Sequence, residues 1–164
     1  MAIKRSEFAI FMDTAPSAQT HVFNRLGKGV TTGAWAYNKQ VTTETYIHED
    51  SATTIIESEQ PQMSVSQKAY AGDPIFEFVD SIRRSHATGE DCETEVILVY
   101  IYDASGSGTV SYGAEKMKVA IQVDDFGGDG GSSNVLNYTI LGVGEATQGT
   151  ATIENGVATF TANS

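Results

Sequence analysis

The sequence predicts a mainly β fold with one flanking α-helix, built as a β-sandwich or a partly closed barrel. Short segments rich in Val, Ile, Thr and aromatic residues alternate apolar with polar side chains along most of the chain. This period of two is typical of half-buried strands. Glycine-rich and Asn-Gly turns separate the segments. Only residues 73–84 carry apolar side chains at helical spacing, so this apolar face must pack against a sheet.

The predicted strands are short and closely spaced. The longest apolar run, VILVYIY at residues 96–102, is β-branched and aromatic nearly throughout and predicts a central strand buried on both faces. A hairpin is predicted around Gly27, Lys28 and Gly29. Asn155 and Gly156 predict a second tight hairpin. In chain order the predicted strands are residues 7–12, 21–26, 30–37, 40–47, 63–70, 96–102, 117–124, 134–141, 146–153 and 157–162.

The helix is predicted to begin at Asp73 and to end after Arg84. Asp73 stands at the N-cap position, where its carboxylate accepts hydrogen bonds from the first turn. Pro74 follows at the first helical position, where no backbone N–H is needed. Arg83 and Arg84 complement the helix dipole in the last turn. The side chains predicted to face the sheet are those of Ile75, Phe78, Val79 and Ile82.

An acidic segment, HEDSATTIIES at residues 48–58, follows the predicted strand 40–47. It contains no Lys or Arg and encloses a small apolar patch. Two interpretations stay open: a solvated connection between strands, or a loop that becomes ordered on a partner, since long loops are often functional. Under the second interpretation the contact residues are His48, Glu49, Asp50, Ile55 and Ile56.

Composition excludes several classes of protein. The chain has 164 residues, with Lys+Arg 10 against Asp+Glu 21 and a net charge of −11. Such a charge argues against a protein that clamps nucleic-acid phosphates. The single cysteine, Cys92, excludes an internal disulfide framework. No apolar run is long enough for a signal-peptide core or a membrane span. We therefore expect one soluble, unexported domain over residues 1–164, without contact to a membrane.

Residues with catalytic or metal-binding chemistry form no recognisable motif. His21, His48 and His86 lie on separate predicted elements, and the glycine-rich segment 125–133 does not match a calcium loop. No serine stands in a nucleophile elbow. The sequence thus predicts neither an enzyme nor a bound cofactor or metal ion.

Trp35 and Tyr37 lie on the same face of the predicted strand 30–37. Such a pair either packs in the core or forms a platform on which a sugar stacks. The second possibility keeps open a small β-sandwich module that binds carbohydrate or acts as an adhesin. An enzyme on a β scaffold is a further alternative, disfavoured by the missing catalytic constellation.

Four stretches follow one another in a characteristic order. The first is a hairpin before an acidic loop, GKGVTTGAWAYNKQVTTETYIHED. The second has a Pro-Gln strand, a Gly-Asp-Pro turn and an amphipathic helix, ESEQPQMSVSQKAYAGDPIFEFVDSIRR. The third is the acidic strand TGEDCETEVILVYIY, and the fourth is ATQGTATIENGVATFTA. In this order the chain resembles the major tail tube proteins of tailed bacteriophages, chiefly those of long non-contractile tails. Contractile tails and type VI secretion systems use related tubes, and composition does not separate these kinds.

The resemblance implies a structural virion protein. Neighbouring copies would join their sheets into a ring-shaped barrel, with six subunits per ring and rings stacked into a hollow tube. Genomic DNA would pass through the lumen without specific binding. The implied partners are other copies of the chain, a tape-measure protein, and tail terminator and distal tail proteins. The implied location is the virion tail, and the host cytoplasm during assembly.

A tube would require one sheet to turn one face to the core and the other to the channel. The predicted strands 117–124 and 134–141 show this alternation best, with 30–37 and 40–47 as the other candidate pair. The segment 48–58 would contact neighbouring subunits or the adjacent ring. The side chains predicted to face the channel are those of Thr42, Glu44, Gln122, Asp124, Asn137 and Thr139.

Overall fold

The computed structural model describes residues 1–164 and contains nine strands, one α-helix and two 3-10 helices. The 3-10 helices are Arg5–Glu7 and Gly89–Cys92. The helix α1 is Pro74–Arg84, and no helix is long and apolar enough to cross a membrane. The strands are β1 Phe8–Asp13, β2 Phe23–Arg25, β3 Gln40–Glu44, β4 Thr53–Ser58, β5 Gln62–Lys68, β6 Glu93–Ser105, β7 Ser111–Gly127, β8 Val135–Glu154 and β9 Val157–Ala162.

Six strands close into a barrel in the order β8, β7, β6, β1, β2 and β9, and β9 pairs back onto β8. The strand β5 extends the sheet by pairing with the first part of β8. All pairs are antiparallel. The predicted class, mainly β with one flanking helix and a partly closed barrel, is confirmed.

The barrel closes through the predicted Asn-Gly hairpin. Asn155 and Gly156 have positive φ angles of 52° and 78°, as a two-residue turn between right-twisted strands requires. Gly149 contacts Thr161 so closely that a Cβ atom at this position would overlap the Thr161 carbonyl oxygen. A glycine is therefore needed where β8 meets β9.

The barrel interior is filled by small side chains. A barrel with few strands has a narrow interior, and four of the seven buried residues there are alanines. Alternate residues of β1 and β6 point into this cluster, and the others point to the opposite face, so both strands are buried on two sides. The interior cluster consists of Ala9, Phe11, Ile97, Val99, Ala114, Ala151 and Ala158.

The larger core lies between α1 and the outer face of the sheet. Ile75, Val79 and Ile82 of the helix are buried in it. Phe78 is only half-buried and packs at the margin of this core. The sheet contributes Ile10, Met12, Met63, Val65, Val96, Leu98, Met117, Val119, Ile121, Leu136, Tyr138 and Ile140.

A buried polar network fixes the start of the helix on the sheet. The Asp73 carboxylate accepts hydrogen bonds from the Phe76 backbone N–H (3.1 Å) and from Gln67 Nε2 (2.8 Å). The Tyr138 hydroxyl donates to Gln67 Oε1 at 2.9 Å. Burial, with the nearby Asp73 charge, raises the pKa of Tyr138 above its ordinary value. Each of these three buried polar groups therefore has a hydrogen-bond partner, because an unpaired polar group is costly in apolar surroundings.

The predicted hairpin between residues 21–26 and 30–37 is wrong. Gly29, with φ of 83°, directs the chain alongside β5, where its carbonyl accepts the Lys68 N–H at 3.0 Å. Residues 30–37 form no strand and share with β5 only the bridge between Ala36 and Gln62. The apolar residues in this segment cover the core instead of pairing across a hairpin.

Two other predicted boundaries are also corrected. The segment 48–58 is not wholly a loop, because Thr53–Ser58 forms β4 and pairs with β3 from Glu44–Thr53 to Gln40–Ser58. The predicted strands 134–141 and 146–153 are one continuous strand, β8, which bends where its register with β7 shifts between Lys116 and Lys118. Glycines at 142 and 144 concealed this continuity in the sequence.

Replacing Gln67 with Leu should lower the free energy of unfolding by about 1–3 kcal/mol for each polar group left unpaired. Tyr138→Phe removes one of these groups without removing the ring. Because both residues belong to one network, the double variant should cost clearly less than the sum of the single variants. Urea unfolding of the four proteins measures this coupling, and strict additivity would contradict the network.

Ile75→Ala should cost about 2–5 kcal/mol, because it empties a fully buried site between helix and sheet. Phe78→Ala should cost less than Ile75→Ala despite the larger side chain, because Phe78 lies at the core margin. Thermal unfolding of both variants gives the order, and a greater loss for Phe78→Ala would place Phe78 in the core centre.

Candidate assembly surfaces

The strands β3 and β4 form an arm, Gln40 to Ser58, that projects from the body of the protein. The arm is a separate two-stranded sheet, joined to the body only through the chain segments at its base. Nearly every arm residue is exposed. Isolated two-stranded ribbons are at best marginally stable in water, so this arm gains most from contact with another surface.

The residues predicted to contact a partner lie in two different parts of the arm. His48, Glu49 and Asp50 lie in the tip between the strands. Ile55 and Ile56 lie within β4 on opposite faces, paired with Thr42 and Val41 respectively. Their side chains remain 50% and 63% exposed. At least half of each side chain is therefore left uncovered within the chain.

A polar face covers β5, β7 and β8 on the side away from α1. Gln122 lies opposite Thr139, which in turn lies opposite Ser64 of β5. Asp124 accepts hydrogen bonds from Gln122 (2.8 Å) and Thr139 (3.2 Å). Asn137 donates to Asp125 at 2.6 Å. The structure thus brings together four of the residues predicted to face a channel: Gln122, Asp124, Asn137 and Thr139.

Glu44 and Thr42, the other predicted channel residues, do not belong to this face. Both lie on β3 of the arm, which is not hydrogen-bonded to the sheet of Asp124. The sequence pattern alone could not separate them, because alternation identifies a face of a strand but not the sheet that contains it.

Lysines make the polar face less acidic than its carboxylates suggest. Lys118 Nζ lies 2.7 Å from the Glu93 carboxylate, and Lys116 Nζ lies 3.4 Å from that of Glu95. The hydrogen bond and charge of Glu93 raise the pKa of Lys118 above its ordinary value. These contacts pair both lysines with carboxylates, while Asp124 and Asp125 have only neutral hydrogen-bond partners.

Two strand edges of the sheet are unpaired. The pairing of β7 with β6 ends at Ala120 opposite Glu93, so β7 has no neighbour on that side from Ile121 to Gly127. A groove of about 1170 Å³ lies along this edge, between it and the segment 82–93. The outer edge of β5 is covered only at its ends, near Gln62 and Lys68. Free edges are ready positions for a strand from another chain.

Tyrosines and carboxylates form a recess at the base of the arm. The Tyr100 hydroxyl donates to Glu115 at 3.0 Å, and Gln148 donates to the same carboxylate at 2.7 Å. Burial first, then the charges of Glu115 and Glu59, raises the pKa of Tyr37 above its ordinary value. No sequence motif identified this recess, because its residues come from five separate segments.

Trp35 is only 8% exposed and packs in the main core, whereas Tyr37 is 45% exposed. A sugar stacks on the open face of an aromatic ring, and a buried Trp35 offers no such face. The interpretation of these two residues as a shared platform is therefore wrong.

The ionisable residues considered for chemistry lie apart. His21 Nδ1 lies 2.8 Å from the buried Asp13 carboxylate, while His48 is at the arm tip and His86 follows α1. No three His, Cys, Asp or Glu side chains are arranged to hold a metal ion. Partial burial, then the charges of Asp91 and Glu93, raises the pKa of the Cys92 thiol.

No protein-family profile matches the chain, and no curated protein matches it. Among solved structures, a chain in the tail of an empty GTA particle, determined with helical refinement and C6 symmetry, superposes with a TM-score of 0.59. The two chains are 12% identical, and the match covers 90% of this chain and 98% of that one. The protein has the fold of this tail chain. At such an identity the likeness concerns the fold alone.

Two further solved structures match over similar lengths. A chain in the virion of a native gene transfer agent (GTA) particle has a TM-score of 0.57 and 12% identity, covering 90% of this chain and 98% of that one. A chain in the baseplate of the anti-feeding prophage covers 90% of this chain and 95% of that one at 14% identity. Its TM-score of 0.45 is too low to carry an argument.

Proposed function

We propose that the protein is a tail tube subunit, a structural virion protein whose copies form six-membered rings stacked into a hollow tube. The observation that carries the proposal is the presence, on one chain, of an unpaired β7 edge and an exposed two-stranded arm. A single copy leaves both uncovered, and a second copy supplies the missing contacts. The fold shared with a tail chain of a C6-symmetric GTA particle supports the same conclusion.

A ring forms when the same two different surfaces meet around a closed cycle. Such a contact is heterologous, because one copy offers the β7 edge and the next copy offers a different strand. The strand added to β7 would run through the groove beside Ile121 to Gly127. Backbone hydrogen bonds between copies would then join the sheets into one ring-shaped barrel.

The polar face of β5, β7 and β8 is the proposed wall of the lumen. Its opposite face is buried under α1, so it is the only side of this sheet that a channel can contact. Hydroxyl and amide groups dominate it, and its unbalanced charges are the carboxylates of Asp124 and Asp125. Such a wall repels phosphates weakly and over only about 8 Å at physiological salt. DNA would therefore pass without being held.

A tube also implies where the protein resides and which other proteins it contacts. We propose that the protein resides in the virion tail, assembles in the host cytoplasm, and encloses a tape-measure protein while tail terminator and distal tail proteins bind the tube ends. It acts through assembly and not as an enzyme, without a cofactor. The long non-contractile type of tail is the preferred form, with contractile tails and secretion tubes as its alternatives.

Electron microscopy of the purified protein tests the proposal. Wild-type protein should form rings or tubes whose end-on views have six-fold symmetry. The arm variant Ile55→Ser, Ile56→Ser should stay folded, because both side chains are exposed, but should lose assembly together with its apolar arm contacts. A wild-type protein that stays monomeric at high concentration would contradict the proposal.

Thiol labelling tests the position of the lumen wall. In a Cys92→Ser background, Gln122→Cys should be protected from a bulky thiol reagent inside tubes with closed ends. The matched control Ser81→Cys lies on the exposed side of α1 and should react fully. Both cysteines should react in dissociated subunits, because both positions are exposed there. Full reaction of Gln122→Cys in sealed tubes would place the polar face outside.

A further inference from the structure

Half of the basic residues of the protein have no carboxylate partner. The chain contains Lys+Arg 10. Five of these side chains make ion pairs with Asp or Glu: Lys39, Arg83, Arg84, Lys116 and Lys118. The other five are exposed and unpaired, although acidic residues outnumber them in the chain: Lys4, Arg5, Arg25, Lys28 and Lys68.

Two of the unpaired basic residues, Arg5 and Arg25, line one apolar recess. This recess has a volume of about 310 Å³, and Phe8, Ile10, Leu26, Val30 and Met63 supply its apolar lining. Arg5 and Arg25 belong to its wall. It lies on the side of the core that the segment 26–33 covers, near the base of the arm.

Both guanidinium groups are held in place by backbone carbonyl oxygens. Arg5 donates to the carbonyl oxygens of Phe8 (2.6 Å) and Gly33 (3.2 Å), and it lies over the Phe8 ring. Arg25 donates to the Ser6 carbonyl oxygen at 2.9 Å. Neutral oxygens position these cations but do not neutralise them, so the recess combines an apolar floor with two fixed positive charges.

The arm tip has the complementary chemistry. Ile47 is fully exposed at the turn, and Tyr46 beside it is 45% exposed. Glu49 and Asp50 follow directly, and neither pairs with Lys or Arg within the chain. The turn itself is ordered by a hydrogen bond from the Glu49 N–H to the Tyr46 carbonyl (3.0 Å). An apolar side chain thus projects next to two carboxylates.

The arm tip cannot reach the recess of its own chain. The paired residues extend from the bridge between Ala36 and Gln62 at the base of the arm to the pair Glu44 and Thr53 near its tip. At the rise of an extended strand, the tip is roughly 26 Å from the base. The recess adjoins the base through Gly33 and Met63, so only a second chain can bring a tip to it.

We propose that the arm tip of one copy binds the apolar recess of another copy, with Ile47 inserted and Glu49 and Asp50 paired with the arginines of its wall. The inference rests on the proposed tube and names the surface that receives the arm. It explains why Arg5 and Arg25 of an acidic protein have no carboxylate partner in their own chain. The contact is heterologous, so every copy can both give and receive an arm.

Charge exchange tests the pairing. Glu49→Arg with Asp50→Arg, and separately Arg5→Glu with Arg25→Glu, should each slow assembly about tenfold, since like charges then face each other. Combining all four substitutions should restore most of the wild-type rate. Asp129→Arg with Glu154→Arg is the matched control, because it changes charge equally at exposed positions away from the arm and recess. Circular dichroism checks that each variant is folded.

Disulfide formation tests the location and does not depend on the charge variants. In a Cys92→Ser background, Ile47→Cys with Thr32→Cys should give a ladder of disulfide-linked chains after mild oxidation, because Thr32 lines the recess. Ile47→Cys with Ser81→Cys should give none. This contact is wrong if tubes form but Ile47→Cys with Thr32→Cys gives no disulfide-linked chains. It is also wrong if the four combined charge substitutions do not restore the assembly rate. Either result leaves the proposed function standing. Wild-type protein that forms no assembly overturns both.

Discussion

The long antiparallel pairing of β7 with β8 connects the closed barrel to the open sheet. At one end these two strands belong to the closed barrel, where β6 and β9 complete the hydrogen bonds on their outer sides. At the other end the same strands form an open sheet with β5. Because the two ends share one ladder, the barrel holds the open sheet rigidly while leaving its β7 edge unpaired.

The open sheet is stable only because one of its faces is covered. The helix α1 and the segment 26–35 lie over this face and bury a continuous apolar core. The network of Gln67, Asp73 and Tyr138 fixes where the helix begins on the sheet, since Gln67 donates to Asp73 and accepts from Tyr138. Covering the second face would require another layer, which the chain does not contain. That face is polar instead, with Gln122, Asp124 and Asn137 on it.

The charged groups also divide into those that form ion pairs within the chain and those that do not. Near the polar face, lysines and glutamates pair within the chain. At the arm tip and at the recess, opposite charges remain unpaired and too far apart to meet in one copy. Exposed ion pairs contribute little to the stability of a single chain. Between copies they set the orientation and the rate of association, which is where an assembling protein needs them.

The local elements could be predicted from the sequence: the cap at Asp73, the helix face of Ile75, Val79 and Ile82, the doubly buried run in β6, and the hairpin at Asn155 and Gly156. Each depends on spacing or turn chemistry within a few residues. Three other features became visible in the folded chain alone: residues 30–37 cover the core, Thr53–Ser58 is a strand, and Glu44 lies apart from Asp124. Those outcomes depend on which distant segment supplies the partner, and a periodic pattern identifies a face without identifying what covers it.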